Sequence, residues 1–345
     1  LSSTHYFDAG KNLRGLENVR EIMDDPDALF TKLERVRVEL PPDWTTPTPW
    51  AELAAQLGAE DCVLAIVNTR KAARELHRLM PEGTLHLSAL MCGAHRQDVI
   101  AEIKQRLQAK REGHELRPLR VVSTQLVEAG VDIDFPVVYR ALAGLDSVAQ
   151  AAGRCNREGR LAGKGRVVVF VPPEKPPLGH LRKGADACIT TLHGHAQDPL
   201  ARGLFARYFT EFYHSVDLDG SGIVNLLKVD PRTLAVQFRS AAKAFRLIDD
   251  EDKATVLVRY AAQHDAIDKL LGILAAEGPQ RWLMRKLQRY TVSVPKREAD
   301  RLLAQGSLTL PMPGLYVMAN TDNLYSNVLG LLGEDTLFNP SGFVL

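Results

Sequence analysis

"VVSTQLVEAGVDIDFPVVYRALAGLDSVAQAAGRCNREG" occupies residues 121–159. An apolar run ends at Ser123 and Thr124, and a loop follows with Gly130, Asp132 and Asp134. A second apolar run covers 137–142, and a small-residue stretch then carries Gln150, Gly153, Arg154 and Arg157. Continuous apolar runs joined by helical segments fit strands buried on both faces of a parallel sheet.

The same alternation extends in both directions. CVLAIVN (62–68) is another buried-strand run, followed by a helix with Ala72, Leu76 and Leu79 at helical spacing. TLHLSAL (84–90) reads as a strand, and residues 95–113 as a long amphipathic helix closed by Gly113. LRVVST (119–124), VVYRAL (137–142) and GRVVVFV (165–171) add strands, with a helix over about 146–157 before the last. The expected fold is α/β, a parallel sheet flanked by helices. Functional groups then belong in loops at the carboxyl ends of the strands. A proline-rich connector over 173–180, within PPEKPPLGH, separates 46–172 from an α+β part at 181–345. Residues 1–45 form a lead-in with one short strand, RVRVEL.

Composition sets outer limits. The 345 residues carry a formal net charge of +1, so a nucleic-acid partner needs a local basic groove and not a global field. The cysteines, Cys62, Cys92, Cys155 and Cys188, form no C-x-x-C pair, which fits a reducing compartment. No apolar run is long enough to span a membrane, and no signal peptide is visible, so the reading is cytoplasmic. The chain opens on Leu1 and not Met, as expected of a sequence that begins inside a longer protein.

Chemistry-bearing residues fall at the strand ends. On a helix, Gln150, Arg154 and Arg157 lie at i, i+4 and i+7 and share a face. Gly153 allows close approach, and guanidinium forks match phosphate oxygens, so the pair suits a polyphosphate at an interface. A solvated basic helix end is the plainer alternative. Ser123 and Thr124 offer hydroxyls at a strand end, Gly130 a tight turn and Asp132 a carboxylate for ribose hydroxyls, or the stretch is simply an Asp-rich loop. Asn68, Thr69 and Arg70 precede a helix, as an anion site or as ordinary N-caps. His95 and Arg96 put basic residues in a first helical turn, as for an anionic partner or, by default, an ordinary surface arginine.

The order Asn-Thr-Arg, Ser-Thr-Gln…Glu-x-Gly-x-Asp, Gln-x-x-Gly-Arg-x-x-Arg resembles the second RecA-like domain of a superfamily 2 helicase. The wording of 121–159 resembles the CRISPR-associated type I helicase–nuclease, most like its subtype C version, over roughly residues 60–172. This resemblance implies ATP-dependent translocation on DNA during CRISPR interference. It implies Arg157 as an arginine finger, Arg154 as its phosphate-contacting neighbour and Gln150 as a coupling residue. Gly130, Asp132 and Gly153 would lie against the nucleotide. Asn68, Thr69, Arg70, Arg96, Ser123, Thr124 and Gln125 would line the path of single-stranded DNA. Implied partners are single-stranded DNA, an N-terminal half with nuclease and first RecA-like domains, and a crRNA-guided surveillance complex, with no membrane.

Departures from that pattern shape the expectation. No G-x-x-x-x-G-K-[ST] loop, D-E-x-[HD] site or histidine–aspartate nuclease array is present, so ATP and Mg²⁺ would be bound mainly by the missing half. LSST at 1–4 resembles a worn Ser-Ala-Thr motif from the end of the first RecA-like domain. On this reading the chain alone lacks ATPase and nuclease activity. A non-catalytic module docking on the surveillance complex or DNA is the rival, and a fragment of an unrelated superfamily 2 helicase a third reading. Two metal-like runs are discounted. In DLDGSGIVNLLK (217–228) the final calcium-loop position is Lys228, and HGH (193–195) has no ligand at suitable spacing, so no metal site is expected. In RWLMRKLQRY (281–290), Arg281, Arg285, Lys286 and Arg289 interleave with Trp282 and Tyr290, as in a strand-following groove or an ordinary basic helix face.

Overall fold

A computed structural model describes residues 18, 20, 22–193, 198–245, 252–319 and 324–332. The LSST stretch at 1–4 and His195 of the HGH run lie outside the described residues.

In chain order, α1 (Pro26–Lys32), β1 (Val36–Glu39), α2 (Trp50–Ala59), β2 (Cys62–Val67), α3 (Arg70–Leu79), β3 (Leu85–Leu87) and α4 (Gly93–Arg111) are followed by β4 (Leu119–Thr124), β5 (Val137–Ala141), α5 (Leu145–Ala152) and β6 (Gly165–Phe170). The strands form a six-stranded sheet in the order β1-β6-β5-β2-β4-β3, parallel at every pairing. Strand β1, from the lead-in, is an edge of this sheet through Val36 beside Gly165.

Period-two alternation explains why β2 is apolar throughout. Val63, Ala65 and Val67 pack with Leu53, Leu57 and Leu76 from α2 and α3. Leu64 and Ile66 face the other way, toward Ile103 and Leu107 of α4 and Ala151 of α5. Both faces are covered, so no position of β2 can be polar. The order also fixes where function can sit. Strands β5, β2 and β4 are neighbours, and the chain reverses direction across the sheet between them, so their carboxyl ends bring the Leu142, Asn68 and Gln125 loops together.

Beyond the proline-rich connector, α6 (His180–Leu192) and α7 (Arg202–Ser215) pack back onto α5 through Leu145, Cys188, Phe205 and Tyr208. Tyr208 donates to Asp146 Oδ1 at 2.6 Å. Short helices α8 (Ile223–Leu226) and α9 (Phe238–Ala244) follow. The remaining elements are β7 (Lys253–Leu257), α10 (His264–Glu277), α11 (Arg281–Leu287), β8 (Thr291–Pro295), α12 (Lys296–Ala304), β9 (Leu308–Met312), β10 (Leu315–Met318), β11 (Tyr325–Ser326) and β12 (Gly330–Leu331). A second sheet, β8-β7-β10-β9, is mixed, with β7 parallel to β10 and antiparallel to β8. The α+β character expected for the C-terminal part is therefore present. Among the described residues no helix is long and apolar enough to cross a membrane.

The second sheet docks on the start of α4. Leu90, Cys92 and Ala94 share a core with Val256, Leu287 and Tyr290. Gly93 lets the Arg289 carbonyl approach to where a Cβ would stand 3.3 Å away. His95 is 1% exposed, stacks on Tyr260 at 4.6 Å between centroids and contacts the Tyr325 hydroxyl at 2.9 Å. The anion site expected from His95 is thus replaced by an interface between the sheets, where burial holds the ring below its ordinary pKa and favours the neutral form. Tyr290, an aromatic of the 281–290 run that a strand-following groove would have used, is likewise in this core. The Asp219 carboxylate of the calcium-like run accepts from the amides of Ile223 and Val224, at 2.6 and 3.1 Å, and so caps α8.

Candidate nucleotide and nucleic-acid site

Gly153 is the C-cap of α5, so the helix stops at Ala152 and not near 157. Beyond it, Cys155 bridges to Phe135, and Asn156 takes a left-handed backbone with φ 45°. The shared helical face expected for Gln150, Arg154 and Arg157 is therefore not formed. Glycine is a poor helix former, and the amide and carbonyl groups beyond it pair with Phe135 in place of a further helical turn, as Phe135 N–H donates to Arg154 O at 2.9 Å.

The two arginines still converge on one place by another route. The Asp134 carboxylate accepts from the backbone N–H of Arg157 at 2.7 Å and of Glu158 at 3.4 Å, which fixes the turn. Arg157 Nε stands 3.1 Å from Asp132 Oδ1, with the Arg157 side chain 45% exposed. Gly130 supplies the turn before Asp132 with φ 71°, a conformation that an L side chain rarely adopts. Arg154 is 8% exposed and donates through Nη2 to the Glu128 carbonyl at 2.6 Å. Its Nε is shielded from water and has no hydrogen-bond partner among the described residues. Burial, and next the Arg157 charge, pull the Arg154 guanidinium below its ordinary pKa. Two neighbouring cations, one fixed and half exposed and the other under-satisfied, fit a polyphosphate. Gln150 and Gly153 are exposed on the same stretch, and their relation to the arginines is one of chain proximity.

The expected strand-tracking residues separate into two groups. Ser123 is fully buried, and its hydroxyl donates to the carbonyls of Leu87 and Thr124 at 3.0 and 2.9 Å. It ties β4 to β3, which removes it as a direct contact in this conformation. Asn68 is 9% exposed, its Nδ2 donating to Leu142 O at 2.8 Å and its Oδ1 accepting from Arg140 at 2.7 Å. Thr69 is the N-cap of α3, with Oγ1 accepting from Ala72 N–H at 3.0 Å. Thr124 is 7% exposed. Arg70, Arg96 and Gln125 are half-buried and remain accessible at the surface.

Two residues to which the sequence reading gave no role sit at the centre. Arg140 is 0% exposed on β5, and Glu128 is 8% exposed in the loop after β4. Arg140 Nε lies 2.8 Å from Glu128 Oε1, and Nη1 donates to Ala141 O at 2.8 Å as well as to Asn68. Burial pushes the Glu128 carboxyl up to about 6, with Arg140 pulling it back down. An arginine inside the apolar run VVYRAL was the available signal, since a charge in a doubly buried strand needs a partner.

Among the described residues no group of three or more His, Cys, Asp or Glu could hold a metal ion. The cysteines are free and buried, and burial pushes the thiols of Cys62, Cys155 and Cys188 up to about 12.

Residues 59–160 match the family model for the CRISPR-associated nuclease/helicase Cas3, C-terminal. The chain is 33% identical over 178 residues to the Cas3 nuclease/helicase of Haloferax volcanii, covering 46% of this chain and 18% of that protein. It is 26% identical over 317 residues to the Cas3 of Methanothermobacter thermautotrophicus, covering 82% of this chain and 37% of that protein. The fold is similar to that of the T. fusca Cas3-ATP crystal structure, with a TM-score of 0.59 at 15% identity over 86% of this chain and 42% of that one. The chain thus spans less than half the length of these relatives.

Proposed function

We propose that this chain, a Cas3-type C-terminal helicase region, supplies the second RecA-like domain (46–172) and an accessory domain (181–345) to an enzyme that moves along single-stranded DNA by ATP hydrolysis. The observation that carries this is Arg157, whose backbone is fixed by Asp134 while its guanidinium is 45% exposed and, among the described residues, paired with Asp132. An arginine finger needs this combination of a rigid base and a charged tip free to enter a facing domain.

In this reading ATP, with Mg²⁺, supplies the phosphoryl group and is cradled by a facing domain that carries a phosphate loop. Arg157 exchanges the Asp132 carboxylate for phosphate oxygens. Asp132, released, is then placed for ribose hydroxyls next to Gly130. Arg154 stabilises the same charge from behind, anchored on the Glu128 carbonyl. Gln150 and Gly153 border the same surface. Arg70, Arg96 and Gln125 face the strand, while Asn68, Thr69, Ser123 and Thr124 shape the loops that present them. A crRNA-guided surveillance complex is the proposed recruiting partner, and the cytoplasm the proposed compartment. In the full-length protein, Arg157→Ala should lower kcat for ATP about 10³-fold or more, the range for arginine fingers. Arg157→Lys should recover little, because lysine lacks the fork. An ATPase that tolerates both changes would rule out the finger.

A further inference from the structure

The buried Glu128–Arg140 pair lies between the nucleotide side and the strand side of the proposed site, and no step assigned so far uses it. Arg140 is among the largest fully buried side chains of the protein. A lone pair of this kind is costly to bury and is often no more stabilising than apolar residues of the same volume. Its contacts lead in two directions. Through Nη1, Arg140 holds Asn68, and Asn68 holds Leu142, so the carboxyl ends of β5 and β2 are joined. Through Nε, it faces Glu128, whose own carbonyl accepts from Arg154. The strand-side loop, which begins at Asn68, and the nucleotide-side Arg154 are therefore separated only by Arg140 and Glu128.

The arrangement is also incomplete. Arg140 Nε meets Glu128 Oε1 at ion-pair distance without hydrogen-bond geometry, and Arg140 Nη2 is shielded from water with no hydrogen-bond partner among the described residues. Arg154 Nε is in the same condition. Buried guanidinium donors left unmet favour any rearrangement that satisfies them. A phosphate drawing on Arg154 would shift the Glu128 carbonyl, and with it the carboxylate that Arg140 faces.

We propose that Glu128 and Arg140 are positioning residues that couple nucleotide occupancy at Arg154 and Arg157 to the conformation of the Asn68–Arg70 loop. The inference rests on the functional reading above and adds a route between its two halves. Neither side chain touches ATP or DNA. Their work is to make the loops on either side move together.

The test uses full-length protein and measures ATP hydrolysis with and without single-stranded DNA, and single-strand affinity by fluorescence anisotropy. The informative variant is the double replacement Glu128→Met/Arg140→Met, which substitutes apolar volume for the pair and leaves no charge stranded. Circular dichroism and thermal melting check that it folds. We expect DNA-free hydrolysis and DNA affinity within about twofold of wild type, and the stimulation of hydrolysis by DNA reduced at least tenfold. Arg140→Lys, which keeps the charge near Glu128 but has no second nitrogen for Asn68, serves if the double variant does not fold, and should show the same loss. Stimulation that survives in a folded variant overturns the inference and leaves the functional reading intact. Loss of basal and stimulated hydrolysis in equal proportion also overturns it, because a merely structural role predicts that. Wild-type protein without any DNA stimulation overturns the functional reading, and the inference with it.

Discussion

His86 should make the folded protein sensitive to mild acid. It is the central residue of β3, 2% exposed, and neither ring nitrogen has a hydrogen-bond partner among the described residues. The neighbouring His77 ring lies edge-on at 5.5 Å between centroids. Burial, then the charges of His77 and Arg74, take the ring from 6.5 down to about 3. A histidine with a depressed folded pKa stabilises the fold fully above its unfolded pKa and loses that contribution as pH falls. The full shift corresponds to about 5 kcal/mol, and the part lost between pH 8 and pH 5 to about 2 kcal/mol, at 1.36 kcal/mol per unit. Glu128 runs the other way, since burial raises it from 4.5 to about 6 and its contribution falls as pH rises through that window. The raw pH curve therefore mixes signs, and the comparison needs a variant. Urea unfolding of wild type and His86→Leu at pH 8 and pH 5 isolates the term. The wild type should lose about 2 kcal/mol more than the variant, and the ring should show no NMR titration above pH 4. Equal losses, or a ring titrating near 6.5, would mean that His86 is not held neutral by burial.

Further outcomes follow from the interface and the strand-side loop. Gly330→Ala should undock the β11–β12 hairpin, because the new Cβ would stand 2.3 Å from the Leu90 carbonyl oxygen at a backbone φ of 77°; a loss of about 1–3 kcal/mol is expected from the overlap alone, and unchanged hydrogen-exchange protection of the Leu331 amide would contradict it. Single-stranded DNA binding should be weak and salt-dependent, and Arg70→Ala should reduce the slope of log affinity against log salt by about one contact's worth; a slope that does not move removes Arg70 from the interface. Removing the charges of Arg285 and Arg289 together should weaken that binding without changing the circular dichroism spectrum. Trp282 is the one aromatic of that run still exposed, with Lys286 5.2 Å above its ring, and unaltered affinity would leave α11 as ordinary surface.

The sheet was legible because strands covered on both faces are largely apolar: β2 is apolar throughout, and β4 and β5 keep their apolar runs despite Arg120, Ser123, Thr124 and Arg140. The strand ends then placed Asn68, Thr124 and the Gly130 loop together without any knowledge of strand order. The end of α5 was not legible. Gly153 is compatible with close approach inside a helix and with a C-cap, and the choice depends on the pairing of 154–156 with Phe135, a contact across about twenty residues. Ser123 and Asn68 illustrate a second limit. A polar residue at a strand end can face a ligand or satisfy a neighbouring carbonyl, and sequence spacing does not distinguish the two. Glu128 and Arg140 show a third, since the charge of Arg140 inside VVYRAL calls for a partner but nothing local says that the partner is Glu128. The C-terminal sheet was the least legible part, because its strands are short and its core is shared with Leu90, Cys92 and Ala94 from another part of the chain.

On the proposed reading residues 1–345 bring the finger, and a first RecA-like domain outside them brings the cradle. Mixing purified chain with a polypeptide that carries a phosphate loop and a first RecA-like domain, and following Mg²⁺-dependent ATP hydrolysis, tests it most directly. The chain alone should show no hydrolysis, mixing should give activity, and most of that activity should be lost when the added chain carries Arg157→Ala. Robust hydrolysis by the pure chain, abolished by Arg157→Ala, would contradict it.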